Sequence, residues 1–362
     1  MNTLPATVHT LPAAAFATGQ RRHFVLAVAL PTLLAVAGAL WAPELLALQH
    51  LPQALALLLG MWFVVGGIGV SVGLHRHFSH RSFEARPALR VVLGICGQMA
   101  VQGPIVYWVA LHRLHHAASD RPGDPHSPQA QAWPSLQAQA WPSLHGQAWP
   151  SLQGHQAWPR PRAARAAWQG HLAWVWSHNV PKPTRYSREL LVDALVRRLC
   201  RAYPACVALG LLLPAAVAMA WLGGWQGALF GAYWGGVVRI ALGHHVIWSI
   251  NSICHLFGRR PSATGDHSGN VGWLALLSFG ESWHNNHHDQ PTSARFGRGW
   301  RQPDIGWAVV KLAIWLGWAR LRVARSGPNF GPNFGPALDP ATAQARPAEP
   351  DSGAATGSHR HP

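Results

Sequence analysis

The chain has 362 residues, of which 49% are hydrophobic and only 12% charged, the balance of a membrane protein and not of two soluble domains. Lys plus Arg number 29 against 13 Asp plus Glu; no nucleic-acid-binding module accompanies the excess, and the arginines stand beside apolar runs, so basic loops facing anionic lipid account for the charge and nucleic acid is excluded as a partner. The four cysteines, Cys96, Cys200, Cys206 and Cys254, form no C-x-x-C pair, which excludes a zinc ribbon and an iron–sulfur cluster and leaves free, buried thiols.

The first twenty residues have no charged start and no compact apolar run, so no secretory signal is expected and 1–20 reads as a tail. Arg21, Arg22 and His23 precede an apolar run over 24–41, long enough to cross a bilayer, with Pro31 as a kink. A connector over 42–53, with one acid and no Lys or Arg, leads to a second run, 54–74, which delivers the chain to His75 at a membrane exit. Arg76, Arg81, Arg86 and Arg90 follow. The apolar stretch 91–109 is broken by Gly97, Gly103 and Pro104 and reads as interfacial or re-entrant. It ends in Ala110-Leu111-His112-Arg113-Leu114-His115-His116 and a polar turn over 120–126. Residues 129–159 repeat Gln-Ala-Trp-Pro-Ser-Leu; proline in every unit forbids a continuous helix, so an expanded loop is expected.

Arg197, Arg198 and Arg201 precede a third span, 203–222, and Gly223-Gly224 feeds a fourth, 225–250, beyond which stand Arg259 and Arg260. Arg239 inside the fourth must face inward or toward a polar pocket, as half of an ion pair or as a functional group. The tail over 326–362, with its Gly-Pro-Asn-Phe repeat, is Pro/Ala/Gly-rich and expected to be disordered. Basic residues flank the outer ends of both hairpins and avoid the short connectors, which places both termini and every histidine cluster on the cytoplasmic side.

The stretch Gly280-Glu281-Ser282-Trp283-His284-Asn285-Asn286-His287-His288 puts three imidazoles and two carboxamides into five consecutive positions, 284–288. On a helix, positions i, i+3 and i+4 share a face, so His284, His287 and His288 can converge on a metal ion. The spacing recurs at His112, His115 and His116. His75 and His80 are five apart, about 140° off one helical face, so the helix is expected to end or bend between them. Asn251 and His255, four apart, share a face at the end of the fourth span. Nine clustered imidazoles suffice for two metal ions with open positions, and imidazole suits iron, zinc, copper or nickel.

These blocks, together with Gly73-Leu74-His75-Arg76-His77-Phe78-Ser79-His80-Arg81-Ser82-Phe83, Asp124-Pro125-His126 and Asn251-Ser252-Ile253-Cys254-His255, resemble those of the membrane fatty acid desaturases, in particular the acyl-CoA delta-9 (stearoyl-CoA) type, over about residues 50–300. The resemblance implies an all-α fold: four transmembrane helices in two hairpins, capped by a cytosolic, helical, histidine-rich diiron domain, the whole spanning 21–325 with the Trp/Pro repeat as an insertion. It implies two iron ions held by His75, His80, His112, His115, His116, His255, His284, His287 and His288, with Asn251 acting through a water. It also implies an oxygen-dependent reaction in which O2 is co-substrate and two hydrogens leave adjacent methylenes of a saturated acyl chain, giving a cis double bond at delta-9. Neutral imidazoles need acceptors to orient them; Asp120, Asp124 and Glu281 are the nearest candidates, and Asp124 before Pro125 serves a turn equally well. No Rossmann glycine motif, haem-binding block or ferredoxin-like cysteine set occurs, so electrons must come from a separate carrier, ferredoxin-like or b-type-cytochrome-like, with its reductase. The implied setting is a bacterial inner membrane.

Where the acyl-CoA branch has Arg-Asp before its central histidine motif and Arg-Lys after a Gly-Trp pair, here Ala173-Trp174, this chain has Ala110-Leu111 and His178-Asn179. The acyl carrier is therefore open among acyl-CoA, phospholipid and acyl-carrier protein, with Lys182 and Arg185 as substitutes for the contacts to CoA phosphate. Trp108 and Trp248 remain in the tunnel-bending region, and Ile247 stands where Thr is usual. A membrane diiron hydroxylase or alkane oxygenase is the nearer rival, against which the Asn285-Asn286 pair and the Asn251 block weigh. A histidine-rich metal transporter would want ionisable groups inside the spans, where the chain offers mainly Arg239, His244 and His245. Trp168, Trp174 and Trp176 read as interfacial anchors.

Overall fold

The computed structural model describes residues 10–11, 18–41, 50–121, 123–129, 160–177 and 180–322. The Trp/Pro repeat over 130–159, His178, Asn179 and the tail beyond 322 lie outside the described residues. Among those described, two helices are long and apolar enough to cross a membrane, Leu51–Ser79 and Tyr203–Leu222. The helix Thr18–Trp41 carries Pro31 within it, and its apolar part, Ala29–Leu40, is shorter than such a span. After Gly223 and Gly224, whose φ angles of 83° and 63° only glycine adopts freely, the chain is helical through Gly224–Gly231, Ala232–Val238 and Arg239–Leu256 in unbroken succession. This helix lies close against Tyr203–Leu222: a Cβ on Gly231 would overlap the Pro214 carbonyl oxygen. Small residues let the two backbones approach closely.

The Leu51–Ser79 helix begins as an α-helix and is π-wound over Phe63–Ser79. Its last turn closes with the His80 N–H donating to the His75 carbonyl at 3.1 Å, an i→i+5 bond. The helix ends at Ser79, between the two histidines, as their spacing suggested, and His80 caps it. The wider π-winding before that end brings the two rings to one side, with centroids 4.9 Å apart. The neighbouring helix Pro87–Gln98 packs against the glycines of this segment; a Cβ on Gly73 would meet the Leu93 carbonyl at 2.8 Å.

The stretch read as re-entrant is two helices, Pro87–Gln98 and Ile105–Ala118, with a break between them. Arg239, 1% exposed, holds that break: it donates to the carbonyls of Met99 (2.8 Å), Gly210 (2.9 Å) and Gly235 (3.1 Å). His244 from the same helix donates to the Ala100 carbonyl at 3.0 Å. Among the described residues Arg239 forms no ion pair; it and His244 are engaged with backbone oxygens, of which those of Met99 and Ala100 lie where the helix stops. The core around this junction includes Val65, Leu74, Leu93, Ile105, Val109 and Leu199.

The fold is mostly helical, with two small antiparallel ladders that an all-α reading omits: Thr10–Leu11 with Val180–Pro181, and Phe83–Ala85 with Ala319–Leu321. The second ties the segment just after His80 to the far end of the described chain. Trp174 is a further correction. It is 3% exposed and packs with Leu111, Val175 and Trp248, whereas Trp168 is exposed. All four cysteines are free; Cys206 and Cys254 are buried, Cys96 and Cys200 half-buried.

Candidate metal centre

The helix Ile105–Ala118 presents His112, His115 and His116 from its last two turns. The helix His284–Asp289 has six residues, too short to be stable alone. Asn270 holds it from outside: its Oδ1 accepts the backbone N–H groups of Asn285 (3.0 Å) and Asn286 (3.2 Å), and its Nδ2 donates to Asn286 Oδ1 (2.8 Å). Asn286 Nδ2 donates on to the Phe296 carbonyl at 2.8 Å, and Asn285 exchanges hydrogen bonds with the Ser262 backbone. The two carboxamides between the histidines are thus scaffold, and they fix the direction of the imidazoles beside them.

The nine imidazoles gather into two groups. One ring nitrogen from each of His75, His80, His112, His116 and His287 lies within 4.8 Å of the others, and the same bound holds for His115, His255, His284 and His288. Sequence neighbours go to opposite groups, His115 from His116 and His287 from His288, because consecutive residues point about 100° apart on a helix. In the five-histidine group, His287 Nε2 is 3.0 Å from the Nε2 atoms of both His75 and His116, and His80 Nε2 is 2.7 Å from His112 Nε2. In the four-histidine group, His255 Nε2 and His284 Nε2 are 3.0 Å apart.

Four carboxylates face the outer nitrogens. His115 Nδ1 lies 3.0 Å from Asp124, His255 Nδ1 2.7 Å from Asp120, His288 Nδ1 2.6 Å from Asp266, and His75 Nδ1 against Glu281. Asp124 also accepts the backbone N–H groups of Asp120 (2.9 Å) and His126 (3.1 Å), so it serves its turn and its imidazole together. An imidazole that donates Nδ1–H to a carboxylate presents a bare lone pair at Nε2. At His115 and His288 that atom is buried and has no hydrogen-bond partner. Stranded acceptors of this kind cost about 1–3 kcal/mol each, and a cation between the rings removes the cost.

Charge in the cluster follows the same design. Burial opposes ionisation of Asp120, Asp266 and Glu281, yet the facing imidazoles, and Arg76 in the case of Glu281, hold all three carboxyls below the ordinary range. Burial, and then the neighbouring imidazoles, push His112, His116, His284 and His287 well below the usual histidine value. These are neutral nitrogens supported by anionic acceptors, a donor set that suits a transition-metal ion.

The fatty acid desaturase family profile matches residues 48–300. The chain belongs to the fatty acid desaturase family. It is 38% identical over 292 residues to the hex-5-enoyl-[acyl-carrier protein] acetylenase of Moorena producens, covering 80% of this chain and 82% of that one. To the sn-1 stearoyl-lipid 9-desaturase of Synechocystis sp. it is 33% identical over 288 residues, 75% and 74% of the two chains. To the acyl-CoA C20 Delta5-desaturase of Anemone leveillei it is 32% identical over 267 residues, 72% and 70%. The three names carry three acyl carriers, so the narrower likeness to the acyl-CoA branch is not singled out.

A cleft in the desaturase opens onto both histidine groups. Trp62, Val70, Ile247, Ile250 and Phe279 supply apolar walls, and His75, His112, His115 and His284 stand in its lining beside Asn251. Asn251 is therefore next to the groups, in the wall of the cleft. Trp108, also in the lining, stacks on His112 with ring centroids 5.1 Å apart and donates to Gln102 Oε1 at 3.0 Å. Ala110 and Leu111 are buried against Tyr186 and Trp174, so the departure from the charged family pattern falls on packing positions; Lys182 and Arg185 are exposed.

Sequence reasoning reaches Asp120, Asp124 and Glu281 because they adjoin histidine blocks. It misses Asp266, 22 residues from its partner His288, whose one local sign is the turn at Gly265, φ 75°. It also misses Arg76, whose guanidinium is fully buried behind Glu281, and Asn270, which starts the last histidine helix.

Proposed function

We propose that this desaturase binds two iron ions, one in each histidine group, and introduces a cis double bond into a saturated fatty acyl chain. His75, His80, His112, His116 and His287 would hold one ion, and His115, His255, His284 and His288 the other, with Asn251 reaching it through a water. The iron supplies the redox chemistry by which dioxygen, two external electrons and two protons become two waters as two hydrogens leave neighbouring methylenes. A ferredoxin-like or b-type-cytochrome-like protein with its reductase would deliver the electrons.

The observation that carries this reading is the cleft itself: apolar walls lead to a lining that includes imidazoles from both groups. Trp62, Val70, Ile250 and Phe279 would exclude water and hold the chain, each buried methylene contributing about 0.8 kcal/mol. Delta-9 is the favoured position, since relatives include a protein named sn-1 stearoyl-lipid 9-desaturase and one named Delta-9 acyl-lipid desaturase 1. The carrier we favour is a lipid or acyl-carrier protein over acyl-CoA, because Ala110 and Leu111 are buried in the core.

Four spans in two hairpins, with both termini and the histidine cap cytoplasmic in a bacterial inner membrane, follow from the basic residues at the hairpin ends. On this reading the catalytic unit spans 21–325, between an N-terminal tail and a C-terminal tail from 326. Expression in a membrane with a matched reductase, followed by analysis of new unsaturated chains and their double-bond positions, tests the whole. A hydroxylated chain would replace this reading with that of an oxygenase. A triple bond made from an unsaturated acyl-carrier-protein substrate would favour the second reading, suggested by the acetylenase relative.

A further inference from the structure

Supporting charge is divided unequally between the two histidine groups. Nine acids lie among the described residues. Five pair with arginines: Glu84 with Arg320, Glu189 with Arg113, Asp193 with Arg90, Asp289 with Arg298 and Asp304 with Arg76. The other four face imidazoles. Asp120, Asp124 and Asp266 serve the four-histidine group, and Glu281 serves the five-histidine group.

The partners of these carboxylates differ as well. Beyond their histidines, the three aspartate carboxylates accept from neutral groups: Asp120 from the Ser127 hydroxyl (2.6 Å) and the His267 N–H (2.7 Å), Asp124 from backbone N–H groups, and Asp266 from the hydroxyls of Thr264 (2.6 Å) and Ser268 (2.5 Å), while Arg260 donates to the Asp266 backbone carbonyl and not to its carboxylate. Glu281 is shared with a cation. Its Oε1 accepts from Arg76 Nη1 at 2.7 Å and from the Ser71 hydroxyl at 2.6 Å. Arg76 cannot swing away: Nη2 donates to Asp304 at 2.9 Å, Nε to the Ala294 carbonyl at 3.1 Å, and its guanidinium lies 3.9 Å from the Phe296 ring centroid.

A carboxylate on Nδ1 makes the opposite nitrogen a stronger donor to metal. A guanidinium on the same carboxylate draws that charge back. Resting on the reading that both groups hold metal, we infer that the two sites are inequivalent: the His115–His255–His284–His288 site is the tighter and more electron-rich, and Arg76, acting through Glu281, is the positioning residue that keeps the other site electron-poor. The fifth imidazole of the other site opposes this difference but is neutral, whereas the aspartates bring formal charges into a buried region where they are weakly screened.

The test uses the full-length apoprotein in lipid nanodiscs, titrated anaerobically with ferrous iron. Two steps are expected, the first at least about tenfold tighter, since each supporting group is worth about 10- to 100-fold in metal affinity. Asp266→Asn weakens the first step and spares the second; Glu281→Gln does the reverse. Arg76→Gln tightens the second step, a sign opposite to that of general damage, and Arg76→Lys leaves it unchanged. Iron-57 Mössbauer spectra show one quadrupole doublet at one equivalent and a second, distinct doublet at two. Equal steps with a single doublet, or Asp266→Asn acting on the second step, overturn the inference, and a weaker second step in Arg76→Gln overturns the role of Arg76. If Arg76→Gln does not fold, the wild-type titration and the Asp266→Asn and Glu281→Gln pair still decide. Failure to bind iron at all would instead strike the two-metal reading beneath it.

Discussion

The apolar helices and the histidine cluster are held together in opposite ways. Between Tyr203–Leu222 and the helix that follows it, the contact is close backbone approach over glycine, with Gly231 against Pro214. In the cluster, cohesion comes from buried side chains that reach far along the chain, such as His75 to Glu281, Asp120 to His255 and Asn270 to Asn285 and Asn286. The difference teaches where substitution hurts. An apolar helix fails when a side chain becomes too large, and the cluster fails when a polar partner is lost.

The largest expected effect tests the cluster at its centre. His287→Ala removes the imidazole whose Nε2 meets both His75 and His116, so iron should be lost from the five-histidine group and desaturation should fall to background. Metal analysis of the purified variant checks this; full iron content with normal product would show that His287 is structural. Next comes Arg239→Met, where the two modes of cohesion meet. It removes the donor to the carbonyls of Met99, Gly210 and Gly235, and with the Met99 carbonyl stranded at the break the loss should reach about 1–3 kcal/mol. Denaturation in detergent measures it. A loss below about 1 kcal/mol would mean that water or lipid headgroups reach the break.

The same contrast explains what the sequence makes legible. Apolar runs are a local property, so the helices Leu51–Ser79 and Tyr203–Leu222 and the broken stretch around Gly103 can be read from composition. Histidine spacing is local too, and it brings forward all nine imidazoles of the two groups. The division of those nine into five and four is not local, since it depends on how four separate segments meet. Nor is π-winding: nothing in 63–79 but its glycines hints at it, although the spacing of His75 and His80 does foretell that the helix ends between them. Asp266, Asn270 and Arg76 work through partners 22, 15 and 205 residues away, beyond any sequence pattern of period two or 3.6.

A smaller effect separates orientation from membrane assembly. Asn270→Ala removes the side chain that accepts two N–H groups at the start of the helix His284–Asp289. A lost cap of this kind costs about 0.5–2 kcal/mol, and loosening the imidazoles should weaken metal binding by about 10- to 100-fold. Membrane insertion should be unchanged, because the spans do not use this contact. Iron affinity equal to that of the unsubstituted chain would show that packing against Phe296 and Ser262 is sufficient to hold the helix.

The smallest effect concerns a segment that belongs to neither mode. The repeat over 129–159 brings a proline into every unit and, His145 and His155 apart, no ionisable residue, a composition that disfavours a continuous helix and offers no Asp, Glu, Lys or Arg. Its ends, near His126 and Trp168, are placed by other contacts: His126 lies against the ring of Trp174 at 5.5 Å, and Gly170 packs against Pro128. Those contacts fix the span that any shorter connection must cover. Loop closure depends weakly on length, about 0.6 kcal/mol per doubling, so replacing three of the repeat units with none should shift stability by less than about 1 kcal/mol and leave iron content and turnover within about twofold. The measurement is product formation by the shortened chain at matched iron content. A folded, iron-loaded, inactive variant would show that the tryptophans of the repeat act on the substrate or its carrier.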